Sequence, residues 1–297
     1  MNEPTKTQKL LGRGALLLAT LIWGSSFFIL KNTLDTVPTL YVLAFRFCGA
    51  AVLLCLICLR ELKKIDRSYL IGGLLLGLTM FAAYVLQTFG LSLTTPGKNA
   101  FLTASYCVIA PLLGWAVNRV RPDRYNVSAA VVCIVGIGLI SLGSDLSINT
   151  GDALTLCCGF FFALQILAIE KYAPGRNVLL LTMLQFAVAG VLAAASAFLT
   201  APVPETIPKD QWISMLYLCV MCSGLCYVLQ LFGQKYTSGS AAAVIMTLES
   251  VFGAIFSGVF YHERFTLRLI AGFVLVFAAV LISETKLSFL RRKTEKT

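Results

Sequence analysis

The chain has 297 residues, 58% of them apolar and 13% charged, whereas a soluble domain averages roughly 45–50% and about 25% on the same counts. That imbalance excludes a soluble globular fold. The net charge of +10 has to be placed at membrane edges, where basic residues set topology and attract anionic lipid, and nothing in it calls for nucleic acid as a partner.

A helix crosses a hydrocarbon core of about 30 Å with roughly 20 residues, so the long uncharged runs read as spans. Closed barrels alternate apolar and polar positions; the runs Ala50 to Leu59 and Leu269 to Ser283 do not. The class is therefore all-α membrane. In chain order, apolar runs set against Gly, Pro and charge punctuation predict spans near 14 to 31, 39 to 59, 69 to 90, 98 to 118, 126 to 143, 152 to 170, 178 to 200, 212 to 233, 239 to 260 and 266 to 284. The first follows Lys6, Lys9 and Arg13 as a secretory signal would, but its length and the nine comparable segments behind it favour a retained span. The fourth carries Asn99, Thr103, Ser105 and Tyr106 before Pro111, a polarity that fits a cavity wall better than a lipid face. All ten cysteines fall inside these spans. Cys219, Cys222 and Cys226 lack the histidine or second C-x-x-C of a metal site, and no cofactor is implied.

With the amino terminus inside, 18 of the 24 Lys and Arg residues fall in inner segments and 5 in outer loops, Arg46 being within a span. The positive-inside rule then places both termini in the cytoplasm. The string YVLQTFG at 84–90 recurs as YVLQLFG at 227–233. Arg46-Phe47 aligns with Gln185-Phe186, Ala15-Leu16 with Ala153-Leu154 and Asp123-Arg124 with Glu263-Arg264, at offsets of 138 to 143. The repeat unit is five spans, an odd number, so the second copy enters the membrane from the opposite side. The expected architecture is ten transmembrane helices in two inverted five-helix repeats, at 14–143 and 152–284, flanked by a cytoplasmic segment 1–13 and a basic cytoplasmic tail 285–297.

On these features the chain resembles the EamA-type drug/metabolite transporters over nearly its whole length. The resemblance rests on the five-plus-five repeat, on Trp23-Gly24-Ser25-Ser26-Phe27 in the first span and on Arg46-Phe47 in the second. It rests also on Leu248-Glu249 leading through Gly253 to His262-Glu263-Arg264-Phe265 and Gly272. The chain departs from the pattern at Arg121-Pro122-Asp123-Arg124, where a Glu is common, and at Ser250, where a Pro often follows the Glu. What the resemblance implies is secondary transport, often export, of amino acids, nucleobases or similar metabolites.

Among residues that carry chemistry, Glu249 lies about eleven residues from either end of the ninth span, near the midplane, where a charge costs at least about 3 kcal/mol unless it faces a cavity or a partner. It reads as a proton-accepting or amine-binding carboxylate, or as a protonated group bonded between helices. Arg46, about 10 Å below the outer end of its span at 1.5 Å per residue, has three readings: snorkelling outward, pairing with Glu249, or binding a substrate carboxylate through its planar fork. Lys98 and Asn99 open the fourth span, a helix start that suits an anion or merely an interface anchor. The repeat places Gln87 and Gln230 in equivalent positions, as two amides flanking one site or as interhelical bonds. Trp23, Tyr84, Tyr106 and Tyr227 are deep enough to line a metabolite pocket, whereas Trp212 and Tyr69 read as belt anchors at span ends. Gly73-x-x-x-Gly77 reads as a close helix contact.

The expected function is a secondary transporter of the plasma membrane that moves a small organic metabolite, an amino acid or similar, by alternating access and in the direction of export. Its partners are the small-molecule substrate and the bilayer, with protons left open as a coupling ion and the state left open between monomer and homodimer. Other classes remain: an integral membrane enzyme on a lipid-borne substrate, or a channel-like facilitator. The lone His262 and the absence of intramembrane Asp make a thin catalytic inventory, so an enzyme is not expected. No Walker-type loop is present for ATP coupling, and no charged ring marks a channel filter.

Overall fold

The computed structural model describes residues 5–119, 121–143, 147–204, 206–237 and 239–286. Among these the chain is helical, apart from one isolated antiparallel bridge between Leu142 and Ile148. The helices are α1 (Lys6–Leu34), α2 (Thr39–Cys58), α3 (Arg67–Leu93), α4 (Pro96–Thr103), α5 (Tyr106–Asn118) and α6 (Arg124–Ser141) in the first half. The second half holds α7 (Thr150–Tyr172), α8 (Val178–Thr200), α9 (Lys209–Leu216), α10 (Cys226–Tyr236), α11 (Gly239–Phe260) and α12 (Leu267–Thr285). Nine helical segments among the described residues are long and apolar enough to cross a bilayer, and a tenth apolar stretch, 244–260 within α11, is shorter.

Side chains close several helix starts. Thr5 and Gln8 form a reciprocal capping box, which satisfies two backbone N–H groups and starts α1 at Lys6, eight residues before the apolar run from 14. Asp66 accepts from Tyr69 N at 2.8 Å, and Asn177 caps α8. Asp123 caps α6 through Tyr125 N and Asn126 N, both at 3.0 Å. Lys286 pairs with the same carboxylate at 2.7 Å, and that bond, ahead of the two N–H donors, holds it below the usual carboxylate range.

Two spans depart from a plain α-helix. The fourth is broken: Ser105 N bonds Leu102 O at 3.2 Å and Cys107 N bonds Ala104 O at 3.1 Å, i−3 contacts that tighten the chain between α4 and α5. Pro111, inside α5, lacks an N–H to give. In the eighth span, Tyr217–Leu225 is π-helical between α9 and α10; such segments gather at functional positions. Neither irregularity leaves a mark in an apolar pattern.

The helices pair in a two-fold pattern. α2 lies on α8 and α6 on α12, while α3 packs on α7 as α1 packs on α10, and α1 meets α11 as α4 meets α7. Outward-facing Ile134, Phe198 and Leu267 are 68%, 76% and 87% exposed, which suits hydrocarbon as the surrounding solvent. Tyr69 is no belt anchor. It is buried at the base of α3, and its hydroxyl accepts from Asn177 N at 2.8 Å, because the cap of α8 needs that acceptor away from water.

With no hydrophobic drive between helices in lipid, close approach depends on small residues. A Cβ on Gly73 would stand 2.6 Å from Leu184 Cβ, and one on Gly77 would stand 3.0 Å from the Gln185 carbonyl. Gly77→Val should therefore push α3 off α8 and cost about 1–3 kcal/mol, as overpacking does. The check is the unfolding midpoint in detergent, which should fall for Gly77→Val and stay put for the same change at exposed Gly14, where a side chain meets open space.

Candidate functional site: a central chamber

The helices enclose a chamber of about 560 Å³, in the range of small-molecule sites. One end is walled by residues from the close of α7 (Ile169, Glu170, Ala173), the start of α8 (Val178), the close of α10 (Gln234) and the close of α12 (Glu284). Glu170 and Gln234 are exposed, so this end is the mouth. At the opposite end Leu30, Leu91 and Asn99 line the wall with at most 4% exposure. That end is shut.

Polar bonds hold the shut face. Lys31 Nζ, at the end of α1, donates to the carbonyls of Leu91 and Ser92, both at 2.9 Å, in the last turn of α3, where carbonyls lack intrahelical partners or share them. Asp152, in the first turn of α7 and fully buried, accepts from Thr94 Oγ1 at 2.5 Å and Lys98 Nζ at 3.3 Å. Glu263, between α11 and α12, accepts from Gly97 N at 3.0 Å and from the hydroxyls of Thr95 and Ser257. The short α3–α4 connection is thereby tied to α1, α7 and the α11–α12 loop.

Within the chamber, Arg46 is 3% exposed. Its Nε donates to Ser223 Oγ at 2.6 Å, and its guanidinium lies 5.0 Å from the centroid of the Tyr84 ring. Ser223 belongs to the π-helical segment and donates to Leu218 O, five residues back, at 3.2 Å. Trp23 Nε1 donates to the carbonyl of Cys222 in the same segment at 2.7 Å. The π turn thus turns a hydroxyl and a carbonyl toward α1 and α2. Glu249 lines the chamber half-buried and makes no hydrogen bond or ion pair among the described residues. The ion pairs there are Lys64–Glu61, Lys98–Asp152 and Lys286–Asp123, so Arg46 and Glu249 share the space as electrostatic neighbours without contact.

The chamber gathers Glu249, Arg46, Gln87, Gln230, Trp23, Tyr84, Tyr106, Tyr227 and Asn99. Lys98 is elsewhere, spent on Asp152. Gln87 Nε2 bonds Thr103 Oγ1 at 3.1 Å, while its repeat counterpart Gln230 faces Met246 Sδ at 3.7 Å, so the two amides line one cavity in different surroundings. Asn99 Nδ2 donates to Gln87 O at 3.1 Å and Thr155 Oγ1 at 2.8 Å. Aromatic rings meet along the wall: Trp23 meets Tyr227 edge-on at 5.5 Å, Tyr84 meets Phe162 at 5.3 Å, and Tyr106 meets Phe162 at 6.0 Å.

Sequence reasoning missed Glu170, Glu284, Ser223 and the amide pair Gln165 Nε2 to Gln185 Oε1 at 3.3 Å. A signal existed for Gln185, because the repeat sets it opposite Arg46. None existed for Ser223, whose role depends on the π turn. Among the described residues no group of three His, Cys, Asp or Glu is placed to hold a metal ion.

Fold and site together define a multi-pass helical membrane protein with one solute-sized chamber open at one end. The EamA-like transporter family profile matches twice, at residues 10–142 and 149–285, and the chain belongs to that family. An uncharacterized transporter of Archaeoglobus fulgidus is 32% identical over 90% of this chain and 84% of its own length. The uncharacterized transporter YvbV of Bacillus subtilis is 26% identical over 92% of both chains, and protein PecM of Dickeya dadantii is 23% identical over 94% of both. A solved crystal structure superposes with a TM-score of 0.66 over 96% of this chain and 99% of its own at 14% identity, a likeness of fold.

Removing the Ser223 hydroxyl would leave a buried guanidinium N–H without its acceptor, a loss of about 1–3 kcal/mol. Ser223→Ala should lower the unfolding midpoint well below that of Ser128→Ala on the exposed face of α6, and Ser223→Thr should restore most of it. Equal midpoints for the two alanine variants would contradict the Arg46–Ser223 bond.

Proposed function

We propose that the protein is a secondary transporter that exports a small amino compound across the cytoplasmic membrane by alternating access, with Glu249 as the group that exchanges a proton or a substrate ammonium. The observation that carries this reading is the chamber's asymmetry, with a mouth on one face and the opposite face shut by Lys31, Asp152 and Glu263. A channel needs a path open to both faces at once; a carrier has one end closed.

The sidedness comes from charge. On the positive-inside rule the mouth, formed where α7, α10 and α12 end, faces the cytoplasm together with both termini. The shut face, with the α1–α2, α3–α4 and α11–α12 connections, is the outer one. An inward-facing state ready to load from the cytoplasm is what an exporter presents at rest. The two-fold pairing of helices and the doubled family match fit two inverted five-helix repeats, one at 14–143 and one at 152–284, rocking about a midplane site.

Arg46 and Glu249 give that site two poles. The fork of Arg46, with Nε held by Ser223, is oriented to meet a carboxylate, and the partnerless Glu249 to meet an ammonium. A carboxylate that must be neutralised before it can cross between faces is also a means of proton coupling.

In liposomes containing the purified protein, flux of an exported amino acid should saturate and should rise when a proton gradient is imposed against it. Glu249→Gln should leave the protein folded and abolish the response to the gradient, with at least about a tenfold fall in driven flux, the equivalent of about 1.4 kcal/mol. Undiminished gradient-driven flux in the variant would remove Glu249 from the mechanism.

A further inference from the structure

Several groups of the chamber that lack partners among the described residues are acceptors. Besides Glu249, carboxylates stand at Glu170 and Glu284 near the mouth, and none of the three belongs to an ion pair among the described residues. Asn99 is fully buried in the wall and spends both its donated bonds through Nδ2, while its Oδ1 accepts from nothing. An acceptor left bare in a low-dielectric interior costs about 1–3 kcal/mol and is relieved by a donor. The unmet demand of these groups is for N–H donors and positive charge.

The supply of cations within the wall is small. Arg46 is the one Lys or Arg lining the chamber among the described residues, with Nε on Ser223 and its charge against the rings of Tyr84 at 5.0 Å and Phe47 at 6.0 Å. Lys31 and Lys98, at the shut end, are bound to carbonyls and to Asp152. Three carboxylates against one arginine leave an excess of acidic groups in the chamber wall, where charge complementarity favours a cation. The walls between them are aromatic, and aromatic faces attract cations.

We infer that the chamber selects solutes of net positive charge: organic ammonium compounds with an apolar, planar body, an aromatic amine in preference to a neutral zwitterion. This inference rests on the reading of the chamber as the substrate site and sharpens it from any amino compound to a cationic one. The ammonium meets Glu249, with its ring along Trp23 and Tyr84 and Glu284 adding negative charge from the mouth; a substrate carboxylate, where there is one, goes to Arg46.

Trp23 supplies a readout that does not depend on flux. Trp115 and Trp212, 53% and 42% exposed, are changed to Phe, so that the fluorescence of the full chain in nanodiscs reports the chamber. Four probes of similar body and different charge are titrated: 2-phenylethylamine, 2-phenylethanol, 3-phenylpropionate and phenylalanine. The expected result is a dissociation constant for the amine at least about tenfold lower than for the alcohol or the carboxylate, lost in Glu249→Gln. Should that variant fold poorly, Glu284→Gln at the mouth should weaken the amine about threefold and leave the alcohol unchanged. Equal affinity for all four, preference for the carboxylate or the zwitterion, or no response to the amine up to about 10 mM would overturn the inference. Amine selectivity without flux would instead leave charge selection standing and count against transport, so the two failures are distinguishable.

Discussion

A polar group inside a hydrocarbon layer has to find its partner within the protein, and that constraint orders this structure from its backbone to its site. It forces the helices, whose N–H and C=O groups are met internally. It makes the interruption between α4 and α5 tolerable because the flanking amides find i−3 carbonyls. It decides the fate of each intramembrane charge: Asp152 is fully buried because Thr94 and Lys98 meet it, and Arg46 because Ser223 and Tyr84 do. Glu249 has no such partner, and it sits where a cavity spares it one.

Most of the scaffold was legible in the sequence. Apolar runs are summed over many residues, so the spans emerged with ends shifted by a few positions, the largest shift being the start of α1 at the Thr5–Gln8 capping box. The repeat in YVLQTFG and YVLQLFG was explicit, and the structure answers it with helix pairings related by a two-fold. The aromatic and amide residues named from their depth meet in the chamber, because depth in a span and polarity together leave few other places to go.

The remainder was hidden because it depends on geometry that no periodicity encodes. A π-helical turn at Tyr217–Leu225 has the same apolar composition as an α-helix, so Ser223 gave no sign that it would hold Arg46. Asp152 and Glu263 lay at span edges and read as ordinary loop residues, yet they lock a face. Lys98 suited an anion site by its position at a helix start; the nearer anion is the protein's own Asp152.

The two faces of the repeat are chemically unequal. Gly14 stands where the repeat would put a counterpart to Asp152, and Asp123, counterpart to Glu263, is engaged by Lys286 and the start of α6. Alternating access predicts that the mouth and the shut face exchange roles, so the decisive measurement is the sidedness of access. Single cysteines at Gln234 and at Leu91, in a chain with its ten native cysteines removed, are labelled with an impermeant maleimide applied from each side in turn. Gln234 should label from the cytoplasmic side alone at rest, with Leu91 protected, and an outward substrate gradient should raise labelling of Leu91 from outside while lowering that of Gln234. Labelling of both sites from both sides at once would describe a continuous pore and contradict the carrier.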